Sequence, residues 1–275
     1  MRVLVTNDDG IDSPGLAVLA QVALDAGHDV VVAAPARESS GASASLLGAE
    51  KDGRLLVEAR PSPGLPDGVT SFAVRAAPGL IAFVAAYGGF GPKPDLVLSG
   101  VNRGANTGHA VLHSGTVGAA LSAATHDIPG LAVSIAEQDP RHWETAGWYT
   151  RPVLDWIVAH GERNRVLNLN VPDRPVDAVR GLRKAPLASF GAVQARVHEL
   201  EHGNLQLTYA DVEITREPDT DAGLLARGWA TLTQLRAPCF DADAALPELP
   251  AQTPDGTADR SPGHTPSDAS VGSAS

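Results

Sequence analysis

Four short clusters of oxygen-bearing residues and glycines stand at the ends of apolar runs in this chain of 275 residues. Asn7-Asp8-Asp9-Gly10 follows Val3-Leu4-Val5, and Ser39-Ser40-Gly41-Ala42-Ser43 follows the run that stops at Pro35. The stretch from Ser99 to Gly108, with Asn102 and Asn106, follows Leu96-Val97-Leu98, and His113-Ser114-Gly115-Thr116 precedes a run of small residues. Two adjacent carboxylates such as Asp8 and Asp9 repel one another, and a bound cation is the simplest compensation. Carboxylate, hydroxyl and amide oxygens without a Cys cluster form a hard donor set, suited to Mg²⁺, Mn²⁺ or Ca²⁺ rather than zinc. Ser114-Gly115-Thr116 opens a helix with no acid in its first turn, so its free N–H groups and two hydroxyls make an anion site. A cation site facing an anion site reads as metal-assisted phosphoryl chemistry. Singly, each cluster also has a plainer reading as a turn pair, an N-cap or a glycine-rich loop. Their convergence on one edge favours the chemical reading.

The elements that must carry these clusters are legible in the apolar pattern. Met1–Thr6, Asp29–Ala34, Asp95–Ser99, Leu131–Ile135 and Val166–Val171 read as strands, the last alternating with Asn168 and Asn170. Pro14–Ala26 reads as a helix with Ser13 as N-cap, Pro14 at N1 and Gly27 past its end. Pro78–Tyr87, Gly115–His126 and Thr145–His160 read as further helices, the last with Trp148, Leu154 and Ile157 on one side. Residues 36–53 read as a loop. Alternation of strands and helices implies an α/β fold with a mostly parallel sheet and helices on both faces. In such a sheet ligands bind beyond the carboxyl ends of the strands, where the four clusters fall. After Pro172 the pattern changes: Leu205–Thr215 and Trp229–Leu235 alternate and read as hairpin strands outside the main sheet. The expected organisation is a catalytic core at 1–172, a β-rich extension at 173–240 and a tail at 241–275. That tail lacks aromatic residues and carries −5 of the chain's −11 charge, so it is expected to be disordered.

The acidic balance argues against a nucleic-acid polymer as partner. A single Cys, Cys239, excludes an internal disulfide framework and a Cys-rich zinc site. The N-terminal apolar run is too short for a signal peptide, and no run approaches the roughly 20 apolar residues of a membrane helix. The expectation is a cytoplasmic protein without a membrane partner. The Walker, G-x-S-x-G and H-E-x-x-H motifs are absent, and no G-x-G-x-x-G follows the first strand. A signalling receiver domain would need an Asp after its third strand and a Lys after its fifth, where Ser99-Gly100 and Ser134-Ile135 stand.

Together the clusters resemble the SurE family of stationary-phase survival proteins, metal-dependent 5′/3′-nucleotidases. The resemblance is carried by N-D-D-G-I at Asn7–Ile11 with Pro14-Gly15, S-G-A-S at Ser40–Ser43, P-D-L-V-L-S-G-V-N at Pro94–Asn102, G-A-N at Gly104–Asn106 and S-G-T-V at Ser114–Val117. Thr220-Asp221 and Gly228–Thr233 are similar to a late segment of the family. The resemblance implies one divalent metal ion per subunit, Mg²⁺ or Mn²⁺, with Ca²⁺ as a substitute in crystals. Asp8 and Asp9 would bind it, and Ser40 and Asn102 would complete its shell. Asn106, Ser114, Gly115 and Thr116 would hold the phosphate. It also implies a Rossmann-like core whose C-terminal strands exchange between subunits of a homodimer or homotetramer. This chain departs from the pattern at His113, where the family usually has Tyr, at Ala110, where it often has an acid, and at Arg75–Gly79, which replaces a G-T-P-x-D-C stretch.

The implied substrates are nucleoside monophosphates, hydrolysed at a 5′ or 3′ phosphate. Asp8 or Asp9 is the candidate to take a proton from the attacking water, and His109 or His113 to protonate the leaving group. Covalent attack by an Asp is the weaker option, because no D-x-D stands at the strand end. The alternative is a catalytically weak metal- or nucleotide-binding module on the same fold.

Overall fold

Short β-branched runs alternate with helices, and the chain folds accordingly. The computed structural model describes residues 1–48, 50–161, 164–189, 193–200, 204–211 and 217–239. Strand β1 (Arg2–Thr6) leads through helix α1 (Pro14–Asp25) to β2 (Asp29–Pro35). Short strands β3 (Glu50–Lys51), β4 (Arg54–Leu55) and β5 (Val57–Ala59) precede β6 (Thr70–Val74) and α2 (Pro78–Ala86). Next come β7 (Leu96–Arg103), a 3-10 helix at Gly108–His113, α3 (Gly115–Ala124), β8 (Gly130–Ile135), α4 (Trp143–His160) and β9 (Arg165–Val171). The remainder holds β10 (Leu182–Lys184), β11 (Val193–Leu200), β12 (Asn204–Asp211), α5 (Asp221–Ala226) and β13 (Ala230–Arg236).

The main sheet has nine strands in the order β10-β13-β9-β8-β7-β1-β2-β6-β5. Pairing is parallel from β9 through β8, β7, β1 and β2 to β6. Antiparallel strands flank this block: β13 beside β9 and β5 beside β6. Helices α1 and α4 cover one face, burying Leu16, Leu19, Leu154 and Ile157 against Val3, Val5, Leu96 and Leu98. Helices α2 and α3 cover the other, packing Ile81, Ala82, Ala119 and Ala123 on Leu4, Val31 and Val97. Burial on both faces is why the central strands are almost continuously apolar.

The helix α1 begins as its sequence dictates. Ser13 accepts from the Gly15 N–H, Pro14 occupies the first turn, and Gly27 takes a positive φ just beyond the end. Two readings are corrected. The strand at Trp229–Leu235 does not lie outside the main sheet: β13 pairs antiparallel to β9 over six residues, from Thr231↔Asn170 to Arg236↔Arg165. Its polar alternation arises because Thr231 and Thr233 stand opposite Asn170 and Asn168, while Ala230 and Leu232 join the α1–α4 core. Trp148 is not on the inner side of α4. It is 65% exposed, whereas Leu154 is fully buried. Six residues of helix rotate Trp148 about 120° away from Leu154. The strand at Thr70–Val74 gave no signal in the sequence.

Strands β11 and β12 form a two-stranded antiparallel hairpin of their own. The expected tail, 241–275, lies outside the described residues, as do residues 212–216 at the end of the alternating run. No described helix is long and apolar enough to cross a membrane.

Candidate active site

The strand ends of β1, β2 and β7 and the start of α3 meet around Asp8. Asn7 sets the loop: its side chain donates to Gly10 O at 3.0 Å and accepts from Gly10 N at 3.1 Å, closing the turn that carries Asp8 and Asp9. Gly10 adopts φ +99°, and a side chain there would crowd the Arg37–Glu38 backbone at 3.3 Å.

Asp8 is 4% exposed. Thr116 donates its hydroxyl to one carboxylate oxygen and its backbone N–H to the other, at 3.1 Å. The Asp8 carboxylate therefore sits against the N-terminus of α3. The fit requires Gly115, where an added Cβ would lie 2.8 Å from the Asp8 carboxylate. Burial raises the Asp8 pKa to about 6 in spite of the Thr116 bonds, with the neighbouring Asp9 charge adding to the rise. Among the described residues no Lys, Arg or His forms an ion pair with Asp8.

Asp9 has a partner the sequence did not reveal. Arg103 donates its backbone N–H and its Nε to the two Asp9 oxygens, both at 3.2 Å. Burial still holds the Asp9 carboxyl above its ordinary range, with Arg103 pulling the other way. Arg103 also approaches Glu38 at 3.8 Å. Its place directly after Asn102 in a strand-end loop was the available signal.

Ser40 and Asn102 border the same loop. The Ser39 N–H donates to Asp8 O at 2.7 Å, which fastens the Ser39–Ser43 loop to the β1 end. The Ser40 hydroxyl is exposed and donates to Glu38 Oε1 at 2.9 Å. Asn102 stands beyond a bulge, where β7 shifts register against β8 between Ser99 and Asn102. Its Nδ2 donates to Arg103 O and Gly104 O, so the amide oxygen is the end open to a cation. Among the described residues no group of three or more His, Cys, Asp or Glu could hold a metal ion. Two buried carboxylates with a hydroxyl and an amide oxygen nearby nonetheless suit a hard cation. The Asp8 carboxylate, buried without an ion-pair partner among the described residues, is the observation that calls for one.

The anion side is equally built. Ser114 caps α3, accepting from the Val117 N–H, and Gly115 and Thr116 are buried beneath it. Asn106 is held from four directions. Its N–H donates to Asn170 Oδ1 at 2.8 Å, and its carbonyl accepts from Asn168 and Asn170 at 2.8 and 2.9 Å. Its side-chain Nδ2 donates to Ser134 Oγ at 2.8 Å. The sequence marked Asn168 and Asn170 as polar residues in an apolar strand without giving them a task. Their task is to fix Asn106. His109 and His113 are exposed on the 3-10 helix that leads into Ser114. Ser43 Oγ bonds Leu112 O at 2.7 Å on one side of that helix, and buried Asp221 bonds the Gly108 N–H at 2.9 Å at its start.

Comparison with known proteins gives the same picture. Residues 3–193 match the family described as Survival protein SurE. A 5′-nucleotidase SurE 1 of Burkholderia lata is 37% identical over 246 residues, covering 86% of this chain and 90% of its own length. A 5′-nucleotidase SurE of Desulfovibrio desulfuricans is 34% identical over 258 residues, covering 88% and 93%. The crystal structure of the SurE protein from Aquifex aeolicus superposes with a TM-score of 0.72 at 26% identity, over 88% of this chain and 95% of that one. With a family match across most of the core and relatives of this identity along nearly their whole length, the chain belongs to the SurE family.

Proposed function

We propose that the chain is a divalent-metal-dependent phosphomonoesterase that hydrolyses nucleoside 5′- and 3′-monophosphates to nucleoside and phosphate. The observation that carries this reading is the Asp8–Thr116 contact, which sets one carboxylate of a buried pair against the N-terminus of a helix. The names of the relatives, all 5′-nucleotidases, support the nucleotide part of it.

Asp8, Asp9, Ser40 and Asn102 would hold the ion, Mg²⁺ or Mn²⁺. When bound, it lowers the pKa of a water molecule and polarises a phosphoryl oxygen. With the Thr116 donors given to Asp8 and the Val117 N–H to Ser114, the Gly115 N–H and the Ser114 hydroxyl are the groups at the start of α3 that would receive the phosphate oxygens and stabilise charge as the transfer proceeds, with Thr116 beside them. Asn106, fixed by its four bonds, presents its amide to the same group. Water adds to phosphorus as the P–O bond to the ribose breaks; Asp8 or Asp9 would take the proton that the water gives up, and His109 or His113 would give one to the departing alkoxide. Thr116 holds Asp8 in one orientation throughout. The reading extends to a homodimer or homotetramer working in the cytoplasm, on the strength of the family resemblance and of Cys239, which is free and exposed.

The test is phosphate release from a panel of nucleoside monophosphates and p-nitrophenyl phosphate with Mg²⁺, Mn²⁺ or EDTA. It is run beside the double variant Asp8→Asn/Asp9→Asn. Metal-dependent release that the variant lacks is the expected result. Folded protein that releases nothing with any metal overturns the reading and leaves the binding module.

A further inference from the structure

We propose that the cavity between the ends of β2 and β6 is the nucleoside subsite, with Arg75 and Leu47 as the residues that select a nucleoside ester over a simple one. The inference rests on the phosphatase reading and adds where the rest of the substrate lies. The cavity measures about 570 Å³ and is walled by Pro35–Ser39, Val74–Ala77 and Leu47. Its wall is tied to the backbone of the turn that carries the carboxylate pair. Ser39, one of its walls, is bonded to Asp8 O, and the Gly10 turn packs on the Arg37–Glu38 backbone.

A phosphate held at the start of α3 could send its nucleoside toward either neighbouring set of strand ends. On the β8–β9 side the space is taken by Asn106 and the Ser134, Asn168 and Asn170 side chains bonded to it. On the β2–β6 side it is open. The walls there carry the chemistry a nucleoside needs. Arg37 and Arg75 are exposed, and among the described residues neither guanidinium has a hydrogen bond or ion pair. Leu47 is 75% exposed over the same cavity. A guanidinium plane stacks on a base and an alkyl side chain covers apolar ring surface. Glu38, the one acid in the wall, is turned to Ser40 and Arg103, which leaves Arg37 and Arg75 as the wall's unpaired charges among the described residues. Arg75 opens the Arg75–Gly79 stretch in which this chain departs from the family pattern, which makes this wall its own.

Arg75→Ala and Leu47→Ala are both surface changes and are compared with wild type on two readouts. The first is the ratio of kcat/KM for nucleoside monophosphates to that for p-nitrophenyl phosphate, which falls about tenfold in each variant, through KM. The second, independent of turnover, is adenosine binding by calorimetry, which weakens by a similar factor. A ratio within twofold of wild type overturns the inference while leaving the phosphatase reading intact. Adenosine that does not bind wild type, or binds the variants equally, overturns it as well. Should no ester be hydrolysed at all, the phosphatase reading fails and the adenosine comparison alone decides whether this cavity is a nucleoside site.

Discussion

The buried carboxylate of Asp221 accepts a 2.9 Å hydrogen bond from the backbone N–H of Gly108, which lies 113 residues earlier in the chain. Its other oxygen accepts from the N–H groups of Ala188 and Ala222. One side chain thus ties the C-terminal segment to the strap that leads into the phosphate cradle. Asparagine at this position offers one acceptor and points an N–H₂ at a donor. Asp221→Asn is expected to cost about 2–4 kcal/mol, seen as a drop in Tm of roughly 5–10 °C. Burial raises the Asp221 pKa, so the folded protein holds this proton more tightly than the unfolded chain. Binding of that proton therefore adds to stability as pH falls through the folded value toward 3.8. The stability gap between wild type and Asp221→Asn therefore widens on acidification toward pH 4. Denaturant titrations at pH 7 and pH 4 check this, and a narrowing gap would contradict it.

Thr116 supplies both donors to Asp8. Thr116→Val keeps the shape and the N–H but removes the hydroxyl. Outer partners of this kind are worth roughly 10–100-fold in metal affinity or activity. Thr116→Val should raise the Mn²⁺ concentration needed for half-maximal phosphate release by that factor, and Thr116→Ser should recover most of the loss. Equal curves for wild type and the Val variant would remove Thr116 from the site.

Asn170 both donates to and accepts from the Asn106 backbone. Asn170→Ala leaves a part-buried N–H without its acceptor, at a cost of about 1–3 kcal/mol. Asn106 then loses its fixed position, so KM for phosphate esters should rise more than kcat falls. Steady-state kinetics separate the two, and an unchanged KM would show that Asn106 does not meet the phosphate.

Gly118 of α3 packs against the loop that carries Ser40. A Cβ there would come within 2.3 Å of the Ser43 backbone. Gly118→Ala must therefore displace the loop or the helix. Phosphate release should fall sharply, with a lowered Tm, although alanine is the better helix former. A stabilised, fully active variant would mean the loop yields without consequence.

On α4, Leu154 is fully buried and Trp148 is 65% exposed. Leu154→Ala should cost about 2–5 kcal/mol, while Trp148→Ala stays within roughly 0.5 kcal/mol. Thermal unfolding of the two variants ranks them, and a reversed order would place Trp148 in a contact.

The amino-acid order by itself determined the alternation of β1, α1, β2, β7, α3, β8, α4 and β9, because strands buried on both faces must be apolar and helices announce their ends. Ser13-Pro14 and Gly27 mark one helix without help from any other part of the chain. The same local chemistry exposed Asp8-Asp9 and Ser114-Gly115-Thr116, each readable alone as a turn or a cap, as clusters that converge on one edge. Non-local relations were closed to it. Nothing near Asp9 points to Arg103, and nothing near Asn106 points to Asn168 and Asn170, since those partners meet only when strands pair. Thr231 and Thr233 looked like the wet side of a hairpin because alternation records polarity, not what the polar side faces. In the folded chain that side faces two asparagines, and the strand enters the main sheet. Whether a buried charge is paired, and on which side of it space remains, is set by the packing of distant segments, and only the tertiary structure decides it.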